Sequence, residues 1–170
     1  MKLEIERKFL LKSLPKINPL QSVDIDQYYF KNSSGIWERA RTWKTSDDEI
    51  KYIHTVKKNV SKGVNIEDEY EMSENDYLQF IQKCNSKGVE SKFIKKTRYI
   101  YPDGLLKWEV DLFHGDYKLI IAEIEIPKKT YKLVLPEFIK EVSLLEVTGL
   151  KQFNNRSLSL KIEKDANKNI

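Results

Sequence analysis

Charged side chains recur in this chain at every second position, inside segments that are otherwise apolar. Near the start, Glu4, Glu6 and Lys8 alternate with Leu3, Ile5, Arg7 and Phe9. Arg39 and Arg41 share a face with Trp37 and Trp43, opposite Glu38, Ala40 and Thr42. Further along come Thr55 and Lys57, then Glu67, Glu69 and Glu71, then Lys96 and Arg98, then Lys107, Glu109 and Asp111. Last, Glu123 and Glu125 alternate with Ala122, Ile124 and Ile126. A period of two is the spacing of a β-strand, whose side chains point to opposite faces in turn. A helix would scatter these charges round its circumference. The chain is therefore expected to be mainly β, of α+β type, built from strands with one ionic and one apolar face.

Turn chemistry separates the strands. Asn32-Ser-Ser-Gly35, residues 45–48, residues 61–63, Pro102-Asp-Gly104 and residues 114–116 bound strands predicted at 1–10, 23–31, 36–43, 50–58, 64–72, 93–101, 105–113 and 117–127. The prolines at 15 and 19 make the first connection a loop. One amphipathic helix is expected after Ser73, an N-cap with Asp76 three residues on, and it stops at Gly88. Its apolar stripe is predicted as Tyr77, Leu78, Ile81 and Cys84. Residues 128–135 read as extended, 136–142 as a short helix and 155–160 as another. Residues 1–163 form one domain in this reading, and 164–170 a polar tail.

Composition narrows the function. The 170 residues are 40% hydrophobic and 33% charged, enough for a core with an unusual load of charge left to place. The net charge of +4 fits an anionic partner, but bases and acids are interleaved, which argues against nucleic acid. Cys84 is the only cysteine, so an internal disulfide and a Cys-rich zinc site are excluded; His54 and His114 do not make a site by themselves. The first strand begins almost at Met1, leaving no room for a leader, and no run of about 18 apolar residues marks a membrane span. A cytoplasmic protein without a membrane partner is expected; homodimerisation stays open.

In a sandwich the ionic faces would look into water. These faces, however, use Arg and Glu more than Thr and Ser, and the acids come as Glu-x-Glu pairs inside very apolar strands. Closing the sheet into a barrel gathers the ionic faces round one axis, with the apolar faces outside under helices. Enclosing charges costs several kcal/mol per ion, so such an interior needs a ligand to justify it. Lys8, Arg39, Arg41, Lys57, Lys96 and Arg98 could hold phosphate oxygens. Glu4, Glu6, Asp111, Glu123 and Glu125 offer hard oxygen donors for Mg²⁺ or Mn²⁺.

The ordered set Glu4-x-Glu6-x-Lys8, Gln27-Tyr28-Tyr29, Arg39-x-Arg41, Thr55-x-Lys57, Glu69-x-Glu71, Lys96-x-Arg98-Tyr99, Asp111, Glu123-x-Glu125 and Val147-Thr-Gly149 with Asn155 and Leu158 resembles the CYTH superfamily of triphosphate tunnel metalloenzymes. The resemblance runs to about residue 160. Leu150 departs from it where members often carry Asp, and Phe153 where they often carry Tyr; a second register aligns Glu141-Val-Ser143 with that motif. The resemblance implies a closed eight-stranded antiparallel barrel forming a tunnel, a triphosphate-bearing substrate, and dependence on Mg²⁺ or Mn²⁺, with two ions per site. It is most similar to the short inorganic triphosphatases, which implies hydrolysis of tripolyphosphate or a terminal phosphate. Lys8, Arg39, Arg41, Glu69 and Glu71 are then the catalytic candidates, and Tyr28 is either a donor to phosphate or a packed aromatic. Class IV adenylate cyclase, thiamine triphosphatase and a polyphosphate- or nucleotide-binding module are the alternatives.

Overall fold

The computed structural model describes residues 1–116 and 118–162. Strands β1 (Lys2–Leu11), β2 (Gln21–Lys31), β3 (Trp37–Thr45), β4 (Ile50–Ser61) and β5 (Val64–Met72) precede helix α1 (Glu74–Asn85). Then follow β6 (Ser91–Asp103), β7 (Leu106–His114), β8 (Leu119–Glu125), α2 (Glu137–Lys140), β9 (Ser143–Glu146), a 3₁₀ turn (Lys151–Phe153), α3 (Asn155–Leu158) and β10 (Leu160–Lys161). The proposed tail, 164–170, lies outside the described residues, as does Tyr117, where the last long strand was expected to begin.

The strands pair in the order β6-β2-β3-β4-β5-β1-β8-β7, and β7 returns to β6, which closes an eight-stranded antiparallel barrel. Of the two extra strands, β9 pairs with β1 and β10 with β6. Closure leaves no open edge in the ring itself.

The barrel is apolar on the outside. Phe9, Leu11, Trp108, Val110, Ile120, Ala122 and Ile124 form one buried cluster, which Ile139 of α2 and Val142 cover. On the opposite wall, Phe30 and Ala40 pack under Tyr77, Phe80 and Cys84 of α1. These outer clusters are where the hydrophobic stabilisation arises, at about 1.5–3 kcal/mol for each large side chain removed from water. The helix begins as expected: Ser73 Oγ accepts from the Asp76 backbone N–H at 3.1 Å. Its stripe differs by one position, because Phe80 is buried and Leu78 is 53% exposed.

Two further differences have local causes. The β6–β7 hairpin turns at Gly104-Leu105, with Asp103 paired to Leu106, so Pro102 lies in the strand opposite Lys107. β2 has already ended at Gln21, opposite Ile100, so the missing proline N–H breaks no bond on that side. Gly104 takes φ +59°, as a two-residue loop with glycine first requires. The expected extended stretch at 128–135 is irregular, the strands of the C-terminal region are β9 and β10 instead, and the helix expected over 155–160 ends at Leu158.

Candidate functional site

The alternation that turns apolar faces outward turns the ionic faces into one cavity of about 1300 Å³. Glu4, Glu6 and Lys8 come from β1, Trp37, Arg39, Arg41 and Trp43 from β3, Thr55 and Lys57 from β4, and Glu67 and Glu69 from β5. Arg98, Lys107, Glu109, Glu123 and Glu125 complete the wall, and the C-terminal segment adds Thr148, Lys151, Asn155 and Arg156. Among the described residues, ten Lys or Arg side chains line the cavity against seven Glu. Beyond the charged part the inward faces become apolar: Leu10, Ile94, Phe113, Leu119 and Ile121 cluster with Phe153 and Leu158.

Next to the open lining, on the same inward faces, is a buried ion cluster. Lys96 Nζ donates to Asp111 Oδ2 at 2.6 Å and to Asn155 Oδ1 at 3.2 Å, with Lys96 and Asp111 both fully buried. Arg98 grips the same carboxylate with a fork, Nε to Oδ1 at 2.7 Å and Nη2 to Oδ2 at 2.8 Å, and also donates to Glu109. Burial lowers the Lys96 pKa to about 8, even with Asp111 opposing it. Burial alone would raise the Asp111 carboxyl, but Arg98 and Lys96 outweigh it and hold the pKa below its ordinary value.

Lys8 Nζ meets Glu123 Oε1 at 2.9 Å, and burial is again outweighed: Lys8, Arg98 and Lys96 hold Glu123 well below the usual carboxylate range. Glu69 Oε2 accepts from Thr55 Oγ1 at 2.9 Å, Arg39 Nη2 at 3.3 Å and Arg41 Nη2 at 3.4 Å. One carboxylate thus sets the spacing of two arginines. Burial, with Arg39 and Arg98 nearby, lowers the Arg41 pKa to about 10. The Nε atoms of Arg39 and Arg41 are buried and have no hydrogen-bond partner among the described residues, and neither has Gln27 Oε1.

A third group surrounds Lys57, whose Nζ is 2.5 Å from Glu4 Oε2, 3.4 Å from Glu67 Oε1 and 3.6 Å from Glu6 Oε1. Burial raises the Glu4 pKa to about 7, with Lys57 only partly offsetting it and Glu6 and Glu67 adding to it. Burial and Glu123 raise Glu6 as well. This corner is short of positive charge, and its donors are hard oxygens, so a divalent cation fits its chemistry. No three acid, His or Cys side chains among the described residues form a ready-made metal cage. A hydrated ion such as Mg²⁺, which keeps several waters, asks for few direct protein ligands.

The structure brings together Glu4, Glu6, Lys8, Arg39, Arg41, Lys57, Glu69, Arg98, Glu123 and Glu125. Four expected site residues stand elsewhere. Tyr28 is on the outer face, its ring 4.6 Å from Phe93 and 6.4 Å from Tyr77. Its neighbour Tyr29 faces the cavity and accepts from Gln27 Nε2 at 2.7 Å. Glu71 is exposed and does not line the cavity. Asp111 and Lys96 are fully buried and pair with one another beside Arg98, and neither lines the cavity. Glu67 and Glu69 line the cavity, so the acidic pair of β5 is read one step earlier than Glu69-x-Glu71; Glu109 and Lys107 are unexpected there, although each shares the face of a named residue. Nothing periodic flagged Lys151 or Arg156.

No family model matches this chain, and no curated protein sequence matches it. Solved structures do. The crystal structure of the inorganic triphosphatase NE1496 is similar over 95% of this chain and 97% of its own, with TM-score 0.60 and 24% identity. This superposition covers nearly all of both chains. The chain has the triphosphate-tunnel fold. A putative adenylyl cyclase from Hippeastrum, HpAC1, described as having dominant triphosphatase activity, shares this tunnel fold with TM-score 0.55 and 15% identity, over 74% of this chain and 80% of that one. A putative adenylate cyclase from Bacillus halodurans does so with TM-score 0.54 and 12% identity, over 83% and 98%. Among the described residues, no helix is long and apolar enough to cross a membrane.

Proposed function

We propose that this protein is a metal-dependent triphosphatase that hydrolyses tripolyphosphate, or the terminal phosphate of another small triphosphate, inside the tunnel. The supporting observation is the excess of basic side chains in the barrel cavity, with Arg39 and Arg41 side by side in its lining. A polyanion would take charge-assisted hydrogen bonds from such lysines and arginines. The similarity to an inorganic triphosphatase and to HpAC1 supports the same reading.

Phosphoryl transfer asks a protein mainly for positioning and for stabilisation of charge. Arg39 and Arg41, spaced by Glu69, would grip oxygens of one phosphoryl group, and Lys8 and Arg98 the oxygens beside it. Glu123 keeps Lys8 protonated, since the pair raises the Lys8 pKa against burial. Lys96 acts at one remove, by fixing Asp111 and through it the Arg98 fork. Glu4, Glu6 and Glu67 would hold Mg²⁺ or Mn²⁺, with Glu123 and Glu125 extending the donor set for a second ion. When bound, such ions neutralise phosphate charge and supply an activated water. The reading goes with a cytoplasmic enzyme acting on a small soluble triphosphate.

The test is product identification by ³¹P NMR after incubation with Mg²⁺ or Mn²⁺ and, separately, tripolyphosphate, ATP and thiamine triphosphate. Orthophosphate and pyrophosphate from tripolyphosphate are expected. Cyclic AMP with pyrophosphate from ATP would point to a cyclase instead, and three unchanged substrates would reject an enzyme.

A further inference from the structure

Lys57 does not stand free for a phosphate. Three carboxylates from two other strands enclose its ammonium, at 2.5 Å (Glu4), 3.4 Å (Glu67) and 3.6 Å (Glu6). Lys57 and Glu67 are direct cross-strand partners, so the pairing is built into the β4–β5 register. β1 supplies the other two acids from one face. The second crowded cation of the tunnel, Arg98, is differently placed, because its acid partners Glu109, Asp111 and Glu123 are shared with Lys107, Lys96 and Lys8. Among the described residues, Glu4 and Glu67 have no ion-pair partner but Lys57, and Glu6 has only Lys8 besides, at 4.0 Å. Three anionic groups thus share essentially one ammonium, a compact point charge with three donors.

We propose that Lys57 is the resident counter-cation of a divalent-metal position formed by Glu4, Glu6 and Glu67, and that an entering metal displaces it. In the metal-free protein the ammonium keeps three half-buried carboxylates from repelling one another, at the cost of competing with the metal. A divalent ion carries twice the charge and takes the carboxylates as ligands. The freed ammonium, on a flexible four-carbon stem, is then available to the bound anion, which in the triphosphatase reading on which this inference rests is a phosphate oxygen. Metal loading and readiness for phosphate become one event.

The experiment is Mn²⁺ binding without any triphosphate, followed by electron paramagnetic resonance or calorimetry. Lys57→Met, which keeps the stem and removes the charge, should bind Mn²⁺ at least about tenfold more tightly than wild type, since a cation a few ångströms from the ion has gone. Lys57→Arg should not tighten binding, and Glu67→Gln should weaken it. Unchanged or weaker binding by Lys57→Met overturns the inference. If Lys57→Met does not fold without metal, recovery of its far-UV circular dichroism on Mn²⁺ titration supports the exchange, and failure to recover overturns it. Tripolyphosphate hydrolysis by the wild type is measured in parallel. An active wild type with no tightening in Lys57→Met sinks this inference alone, and tightening with an inactive wild type sinks the triphosphatase reading alone.

Discussion

Asp111 and Glu71 alternate with apolar neighbours in the same way in sequence, yet they have opposite fates. Asp111 holds Lys96 and Arg98 in a dry pocket, and Asp111→Asn should cost about 3–5 kcal/mol in urea unfolding, because two buried cations lose their partner. A cost below about 1 kcal/mol would contradict that account. Glu71→Gln, at an exposed position, should stay within about 0.5 kcal/mol. Period-two spacing assigns a face but not a depth along the tunnel, so sequence could not separate these two acids. Of the two roles open to Tyr28, the structure shows the packed aromatic. The alternation already set Gln27 and Tyr29 opposite Tyr28, and Tyr29 was the aromatic to choose.

Glu4 gives a signed pH dependence at the same scale. Its folded pKa of about 7 lies above the ordinary 4.5, so between those values the folded protein holds this proton more often than the unfolded chain does. Stability of the metal-free protein from this group should therefore fall as pH rises through that window, with the penalty complete above about pH 7. Asp111 and Glu123 act with the opposite sign in a lower window: their contribution is present above the unfolded carboxylate range and is lost on acidification below it. Thermal melts from about pH 5 to about pH 8 should show the Glu4 slope, and Glu4→Gln should flatten it. A slope that survives Glu4→Gln would assign the effect to another group.

Among the elements, the β4–β5 hairpin is pinned to β1 and to the C-terminal segment at one glycine. Gly63 has φ +69°, and a Cβ there would meet Glu6 O at 2.7 Å and Thr148 Cγ2 at 2.9 Å. The Glu6 N–H donates to Gly63 O at 2.8 Å, and Thr148 Oγ1 accepts from the Lys8 N–H at 2.9 Å. Gly63→Ala should destabilise by roughly 1–3 kcal/mol in chemical unfolding and also weaken metal binding, since it pushes on the backbone that carries Glu6. A neutral effect would mean that the hairpin moves freely. The eight barrel strands and α1 were legible because each carries a periodic pattern between turn residues. β9 and β10 were not: four and two residues long, they are defined by partners far away in sequence, and Ser143–Glu146 has no alternation to read.

At the scale of the whole molecule, the sheet is wrapped with its hydrophobic faces outward, under α1 and the segment around α2, so its charges are free to serve a ligand. That inversion could be inferred from sequence because Glu-x-Glu inside apolar strands is a poor solvated face. What sequence could not reveal was the layering along the tunnel, from the apolar end through the sealed Lys96–Asp111–Arg98 cluster to the open acids and bases, because layering depends on strand stagger. Whether this enclosed charge grips and cleaves triphosphate is decided by orthophosphate release from tripolyphosphate with Mg²⁺ or Mn²⁺, compared between the wild type and a folded Lys8→Ala variant. Release by the wild type is expected, with a loss of about 10²–10³-fold in the variant and its far-UV spectrum unchanged. Equal release from both proteins, or none from the wild type, would contradict it.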